Sequence, residues 1–449
     1  MQPDPPRLRM TSIERFHLLD DHPAWPNWIG SILDFDGEID QEFARRAIDV
    51  VLSRHPLIAS RVSVNPYGWE VDPSAKPVVR FFQCKEIGNQ PLPDRPDINQ
   101  SAGSMFIAQT DGRRTRIKLL IHHGLCDGLG GLQFVREWMQ VYDALFHGQP
   151  ETKGLGELSA ATLINRNRLY LTSHKYLAHL WKQPIALFGA AKFVFRRFVI
   201  LGDRATISPN ETPKAADSGW PHMLSAEIDA ANSGKVRRAA NKAKVSMNDW
   251  LAGCLIEAVF SWLDKNGNDG GAKHIRLIVP ISLRSAVDRT MPAANRTTLV
   301  QLDRCREDTQ PRIRLMQGIA FELGLIRAWQ LDRLFLIAMR VVGCSNLLMR
   351  RSARWHKYRA TTLLTNLGKP LLRLGLGRDD DQCWKAGNLV LTSMDLVPPI
   401  KHGLPVSFAV HQYGKCLRIS MQFDPAALSE AAAREILQGF SGRIESTEL

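Results

Sequence analysis

His122-His123-Gly124-Leu125-Cys126-Asp127-Gly128 is the stretch on which the fold of this chain turns. Before it, Arg114 to Ile121 alternates as a strand. After it, Leu132, Val135, Trp138, Met139, Tyr142 and Leu145 recur at helical spacing until Gly148-Gln149-Pro150 stops the helix. The motif therefore falls on a strand-to-helix loop, where reactive side chains are commonly presented. Strand side chains alternate, so His122 and His123 point to opposite sides, one outward to a neighbouring domain and the other into packing. A neutral imidazole takes a proton from a hydroxyl or amine near pH 7 without heavy tuning. Asp127 is spaced to fix the turn by pairing with an arginine, and Gly128 lets the chain fold back tightly. A histidine pair alone is usually an ordinary strand end. All four fixed positions together arise by chance in a chain of this composition on the order of one time in a thousand.

Working outward, the same alternation of periods fills the first third. Ser31 to Gly37 reads as a strand ending in a turn. Asp40 caps a helix with Phe43, Ala47, Ile48, Val51 and Leu52 at helical spacing, and Pro56 stops it. Asn65-Pro66-Tyr67-Gly68 between Ser60–Val64 and Trp69–Val71 is a hairpin signal. From 154 to 213 the pattern loosens into a basic, aromatic-rich connection. The second half restarts with a strand near Met223–Ile228, a helix from Ser246 to Trp262 and a strand at Ile275–Ile281. A long helical stretch from about Gln310 to Leu348 follows, then strands near Leu389–Leu391, Pro405–Gln412 and Cys416–Phe423, and a last helix from Ala427 to Arg443. Helices and strands intermix in both halves, so the class is α/β or α+β. The expected domains are 1–153 and 214–449, joined by 154–213.

Composition narrows the function. The 449 residues, 44% hydrophobic and 23% charged, are those of a globular chain with a real core. Seven scattered cysteines without a C-x-x-C pair speak against a disulfide framework or structural zinc and favour a reducing cytoplasm. The opening residues lack the apolar core and cleavage site expected of a signal peptide, and no uncharged apolar run reaches the roughly 18 residues that span a bilayer. The net charge of +13 calls for an anionic partner. Nucleic acid is set aside because no zinc finger, RNA-binding aromatic signature or basic recognition helix is present. A phosphate-bearing cofactor and an anionic membrane surface remain. The basic, aromatic stretch Tyr170–Arg204 either packs over the other domain or lies on an anionic membrane surface; a second such stretch, Arg327–Arg359, tilts the reading toward peripheral contact with the inner membrane surface.

The histidine run resembles the HHxxxDG signature of the chloramphenicol-acetyltransferase-like superfamily. That group includes nonribosomal-peptide condensation domains, polyketide-associated acyltransferases and the wax ester synthase/diacylglycerol acyltransferases. Further segments are similar: Gly37-Glu38-Ile39-Asp40 with Arg54-His55-Pro56-Leu57, Val245 to Asp249, Val279 to Arg284 with Asn295, and Thr365-Asn366-Leu367-Gly368. Ala293-Ala294-Asn295 departs from the usual Gly-Asn, and the plant Asp-Phe-Gly-Trp-Gly motif is absent. The pattern is nearest to the wax ester synthase and polyketide-associated types.

The resemblance implies two similar α/β sandwich domains with an active-site tunnel between them. It implies acyl transfer from a thioester directly to an acceptor, with His123 as general base and His122 as a packed neighbour. Asp127 would brace Arg284, Gly128 would keep the donor channel open, and Asn366 would order the tunnel or hold the intermediate. The donor would be acyl-CoA, or the phosphopantetheine thioester of an acyl carrier protein. The acceptor would be a hydroxyl, with no permanently bound cofactor and no metal. Two alternatives stand beside it: a stand-alone condensation enzyme forming an amide, and a silent member kept for binding or assembly. A Cys126–His123 dyad is disfavoured because thiol and imidazole rarely align across so tight a loop.

Overall fold

The computed structural model describes residues 7–63, 68–71, 76–87, 95–169, 196–202, 220–267, 273–354, 360–372, 374–380 and 382–448. Most of the basic stretch at 170–204 lies outside them, as does the turn at 64–67.

The strand leading to the motif, β7 (Arg114–His122), is central to a six-stranded sheet. It pairs antiparallel with β2 (Trp28–Asp36), placing Trp28 opposite His122, and with β6 (Ser104–Thr110). Parallel β5 (Val78–Gln83) extends one side. On the other side β2 takes β13 (Leu389–Val397), which takes the short β12 (Lys385–Ala386). The far end of the sequence thus completes the sheet that carries the motif. A small sheet of β1 (Arg7–Arg9), β4 (Gly68–Val71) and β3 (Ser60–Ser63) lies apart; β3 and β4 form the antiparallel pair that the hairpin signal predicts.

Two helices cover the first sheet. α2 (Gln41–Arg54) is capped by Asp40, whose side chain accepts from Phe43 N, a contact of about 1 kcal/mol. Its buried positions Ala44, Ala47, Ile48 and Val51 form one helical stripe. α3 (Gly128–Phe146) packs against α2 and buries all six residues that its periodicity assigns to the core.

The second sheet runs β10 (Thr297–Cys305), β9 (His274–Ser282), β11 (Thr362–Asn366), β14 (Val406–Tyr413), β15 (Cys416–Phe423) and β8 (Met223–Ile228). Only β11 is parallel to its neighbours. Behind it, α4 (Ala230–Lys242), α5 (Met247–Asn266), α6 (Arg312–Ala328) and α9 (Glu430–Glu445) build a second core around Trp250, Leu255, Phe408 and Phe440. Ser246 and Asp249 form a reciprocal capping box at the start of α5. The two sheets meet along β13 and β15. There Leu396 N donates to Ser420 Oγ at 3.0 Å, and Arg418 Nε donates to Asp395 Oδ1 at 3.1 Å. The molecule is a mixed α/β fold of two lobes, each with its own sheet and core.

The single helical stretch expected over 310–348 is broken. It forms α6, α7 (Leu334–Val342) and α8 (Asn346–Arg354), because Gln330 adopts a left-handed φ of 54° and Gly343 ends α7. A left-handed residue points the chain out of the helical path, which apolar spacing does not register. An unpredicted helix, α1 (Ser12–Leu19), packs against α7 and α8. No helix among the described residues is long and apolar enough to cross a membrane.

Candidate active site

β7 ends at His122 and α3 begins at Gly128, so the motif is the loop between the two elements that form the wall of the first lobe. The pleat sends its histidines apart. His122 is wholly buried, edge-on to Trp28. Its Nδ1 accepts from Gly124 N at 3.0 Å, and its Nε2 lies 3.6 Å from Asp21 Oδ2. The Nδ1 lone pair of His122 is thereby engaged by its own turn.

His123 is arranged the other way. Its Nδ1 lies 3.1 Å from the carbonyl oxygen of Cys126. A carbonyl only accepts, so Nδ1 carries the hydrogen and Nε2 keeps the lone pair. Burial, and then the ammonium of Lys401, lower its pKa from 6.5 to about 4; Asp127 and backbone bonds oppose them. The imidazole is therefore neutral at physiological pH. Asn295 Nδ2 holds the loop by donating to His123 O at 2.8 Å and Gly124 O at 3.0 Å.

Asp127 accepts at both oxygens. Oδ1 takes Gly130 N at 2.9 Å and caps α3. Oδ2 takes Arg284 Nη1 at 2.7 Å, Arg296 N at 2.8 Å and Thr297 Oγ1 at 2.8 Å. Burial raises its pKa, but Arg284 and these donors hold it below the usual carboxylate range. A carboxylate so fully occupied braces rather than carries protons. Arg284 also donates to Ala294 O at 2.9 Å, clamping the end of β9 to the motif loop across the two lobes.

Gly128 departs from the tight fold-back read from local spacing. Its φ is not left-handed, and an added Cβ would meet nothing closer than the Leu367 methyls at 3.5 and 3.6 Å. The close approach belongs to Gly130, whose Cβ would come within 3.0 Å of Cys126 Cβ and 3.2 Å of Ala294 N. Gly128 leaves space rather than making a turn. The Cys126 thiol is wholly buried, and burial pushes its pKa up. It is no thiolate nucleophile. No cluster of metal-ligating side chains occurs among the described residues.

These groups open onto one cavity of about 360 Å³. His123, Asp127 and Gly128 line it from one lobe, and Leu299, Leu363 and Asn366 from the other. Asn366 stands at the end of β11, where its Oδ1 accepts from Gly368 N at 3.0 Å. Aliphatic side chains dominate the walls.

No family model matches the sequence, and no curated protein matches it. Solved structures do match. The first condensation domain of the CDA synthetase superposes with a TM-score of 0.68 at 13% identity, over 99% of this chain and 97% of that one. A starter condensation domain of rhizomide synthetase, solved with C8-CoA, gives 0.65 at 12% identity over 98% and 94%. Polyketide synthase associated protein 5 from Mycobacterium tuberculosis gives 0.60 at 14% over 97% of each chain.

The chain has the condensation-domain fold.

Within this fold the His122–Gly128 loop stands between the lobes. Two cavity residues escape any local reading of the sequence. His17, on α1, stacks on His123 with ring centres 4.1 Å apart and planes 16° from parallel. Lys401, paired with Asp20, lines the same cavity. Neither sits in a motif, and each reaches the site only through the packing of distant segments.

Proposed function

We propose that this protein transfers an acyl group from a thioester directly to an acceptor, with His123 as general base. One observation carries the proposal: the Nδ1–H of His123 is tied to Cys126 O, which leaves the Nε2 lone pair for a largely apolar cavity. The acceptor's O–H proton goes to Nε2 as its oxygen bonds to the thioester carbonyl carbon. When the tetrahedral intermediate collapses, the C–S bond breaks and the imidazolium returns the proton to the departing thiolate. No side-chain nucleophile is required. Asp127 and Arg284 keep the loop in register, Gly128 leaves room beside the reacting atoms, and Asn366 orders the opposite wall.

The donor is an acyl-CoA or an acyl carrier protein thioester; the net charge of +13 suits either phosphate-bearing group. The acceptor is a hydroxyl. Amide formation is the second reading, favoured by the fold shared with condensation domains. We further propose that the protein acts in the cytoplasm in peripheral contact with an anionic membrane. Val341, Leu347 and Leu348 are exposed on α7 and α8 beside Arg350 and Arg351, the arrangement of an interfacial helix.

The test is thiol release from long-chain acyl-CoA by wild type and His123→Ala, with a panel of alcohols and amines. Acceptor-dependent release by wild type alone is expected. Equal release by both proteins on every acceptor would overturn the proposal.

A further inference from the structure

His17 sits on the last turn of α1, stacked on His123 and lining the same cavity. One amide decides which of its nitrogens carries the hydrogen. Asn27 Nδ2 lies 2.8 Å from His17 O and 3.1 Å from His17 Nδ1. The carbonyl can only accept, so the amide nitrogen faces this corner and its second hydrogen reaches Nδ1. Nδ1 is therefore the lone-pair nitrogen, and Nε2 bears the hydrogen. Asn27 is itself wholly buried and held through Asn27 N to Asp21 Oδ1 at 2.7 Å, so the arrangement is built rather than incidental.

The two stacked rings are thus opposite tautomers. His123 presents a lone pair at Nε2, and His17 presents an N–H at Nε2. Among the described residues neither Nε2 has a protein partner, and both residues line the cavity. With ring centres 4.1 Å apart, the two rings stand side by side at one cavity, and a tetrahedral centre carries its attacking oxygen and its oxyanion on one carbon. Burial, followed by His123, Lys401 and His122, holds the His17 pKa well below the ordinary imidazole value, so the ring stays a neutral donor.

We propose that His17 is a second catalytic group, whose Nε2–H donates to the thioester carbonyl oxygen and to the oxyanion formed there while His123 takes the acceptor's proton. This rests on the acyl-transfer reading above. A plain packing role for His17 predicts that any flat ring would replace it. A donor role predicts that the N–H matters more than the ring.

The decisive pair is His17→Phe, which keeps a ring to stack, and His17→Gln, which keeps an N–H. Removing one oxyanion donor typically lowers kcat by about 10²–10³-fold. His17→Phe should fall by about that factor with the acyl-CoA KM little changed, and His17→Gln should recover at least about tenfold of it. His17→Phe retaining wild-type kcat within about threefold, or Gln no better than Phe, would overturn the inference. Nitrogen-15 spectra of the wild-type protein give a check that needs no turnover and no variant. They should show His17 protonated at Nε2 and His123 at Nδ1; His17 protonated at Nδ1 would refute the assignment. His123→Ala separates the two proposals. If it abolishes transfer while His17→Phe does not, only the His17 role fails; if it changes nothing, the acyl-transfer reading itself fails.

Discussion

Asp127→Asn removes one charge and leaves the shape of the side chain almost unchanged, so the structure sets its cost closely. The carboxylate accepts four bonds, one at Oδ1 and three at Oδ2. An amide has one oxygen. With that oxygen toward Arg284, its NH₂ faces Gly130 N–H, and the α3 cap is lost, about 1 kcal/mol. Arg284, with its side chain 24% exposed, also loses its counter-ion. Breaking a buried pair from one side costs about 3–5 kcal/mol, and the partial exposure of Arg284 places this pair at or below the low end. The expected destabilisation is about 3 kcal/mol. Urea unfolding followed by tryptophan fluorescence measures it, in a double-mutant cycle with Arg284→Met. A coupling of at least about 1.5 kcal/mol between the two sites is expected. Asp127→Asn within about 0.5 kcal/mol of wild type, or two effects that simply add, would refute the bracing role.

Three further outcomes follow from the same geometry. Protonation removes the His123 lone pair, so kcat/KM should fall as pH drops through about 4, not through 6.5, and stay flat near neutrality; Lys401→Met removes the ammonium and should move that limb upward. A limb at 6.5 in wild type contradicts the burial of the base. The Cβ added by Gly128→Ala meets only the Leu367 methyls, so thermal stability should hold within about 1 kcal/mol, and the larger Gly128→Val should lower kcat/KM by about tenfold or more; an unaffected rate would show that the substrate does not pass there. Sedimentation with liposomes should require anionic lipid and be lost in Leu347→Asp/Leu348→Asp, whereas equal binding to neutral liposomes would sink the membrane proposal.

Much of the frame could be read from local pattern. The strand, loop and helix around His123 follow from a period of two giving way to 3.6, and the buried stripe of α3 is the one its spacing predicts. Caps at Asp40 and Ser246 were equally visible, because a cap is a contact between residues three apart. Local pattern failed where a single backbone angle intervenes, as at Gln330, and where Gly128 looks like a turn glycine but serves as empty space.

The motif loop by itself determined which residues are candidates for proton chemistry, because residue type and strand alternation are local properties. Only the tertiary structure decided which histidine keeps a free lone pair. That depends on Gly124 N reaching His122 Nδ1 and Cys126 O reaching His123 Nδ1. It also decided that β13 completes the motif's sheet, that Asn295 holds the loop from 172 positions away, and that His17 lies against His123. Periodicity tells a segment which face to bury. It does not choose the partner, because hydrogen bonds and packing between distant segments form only when the whole chain is in place.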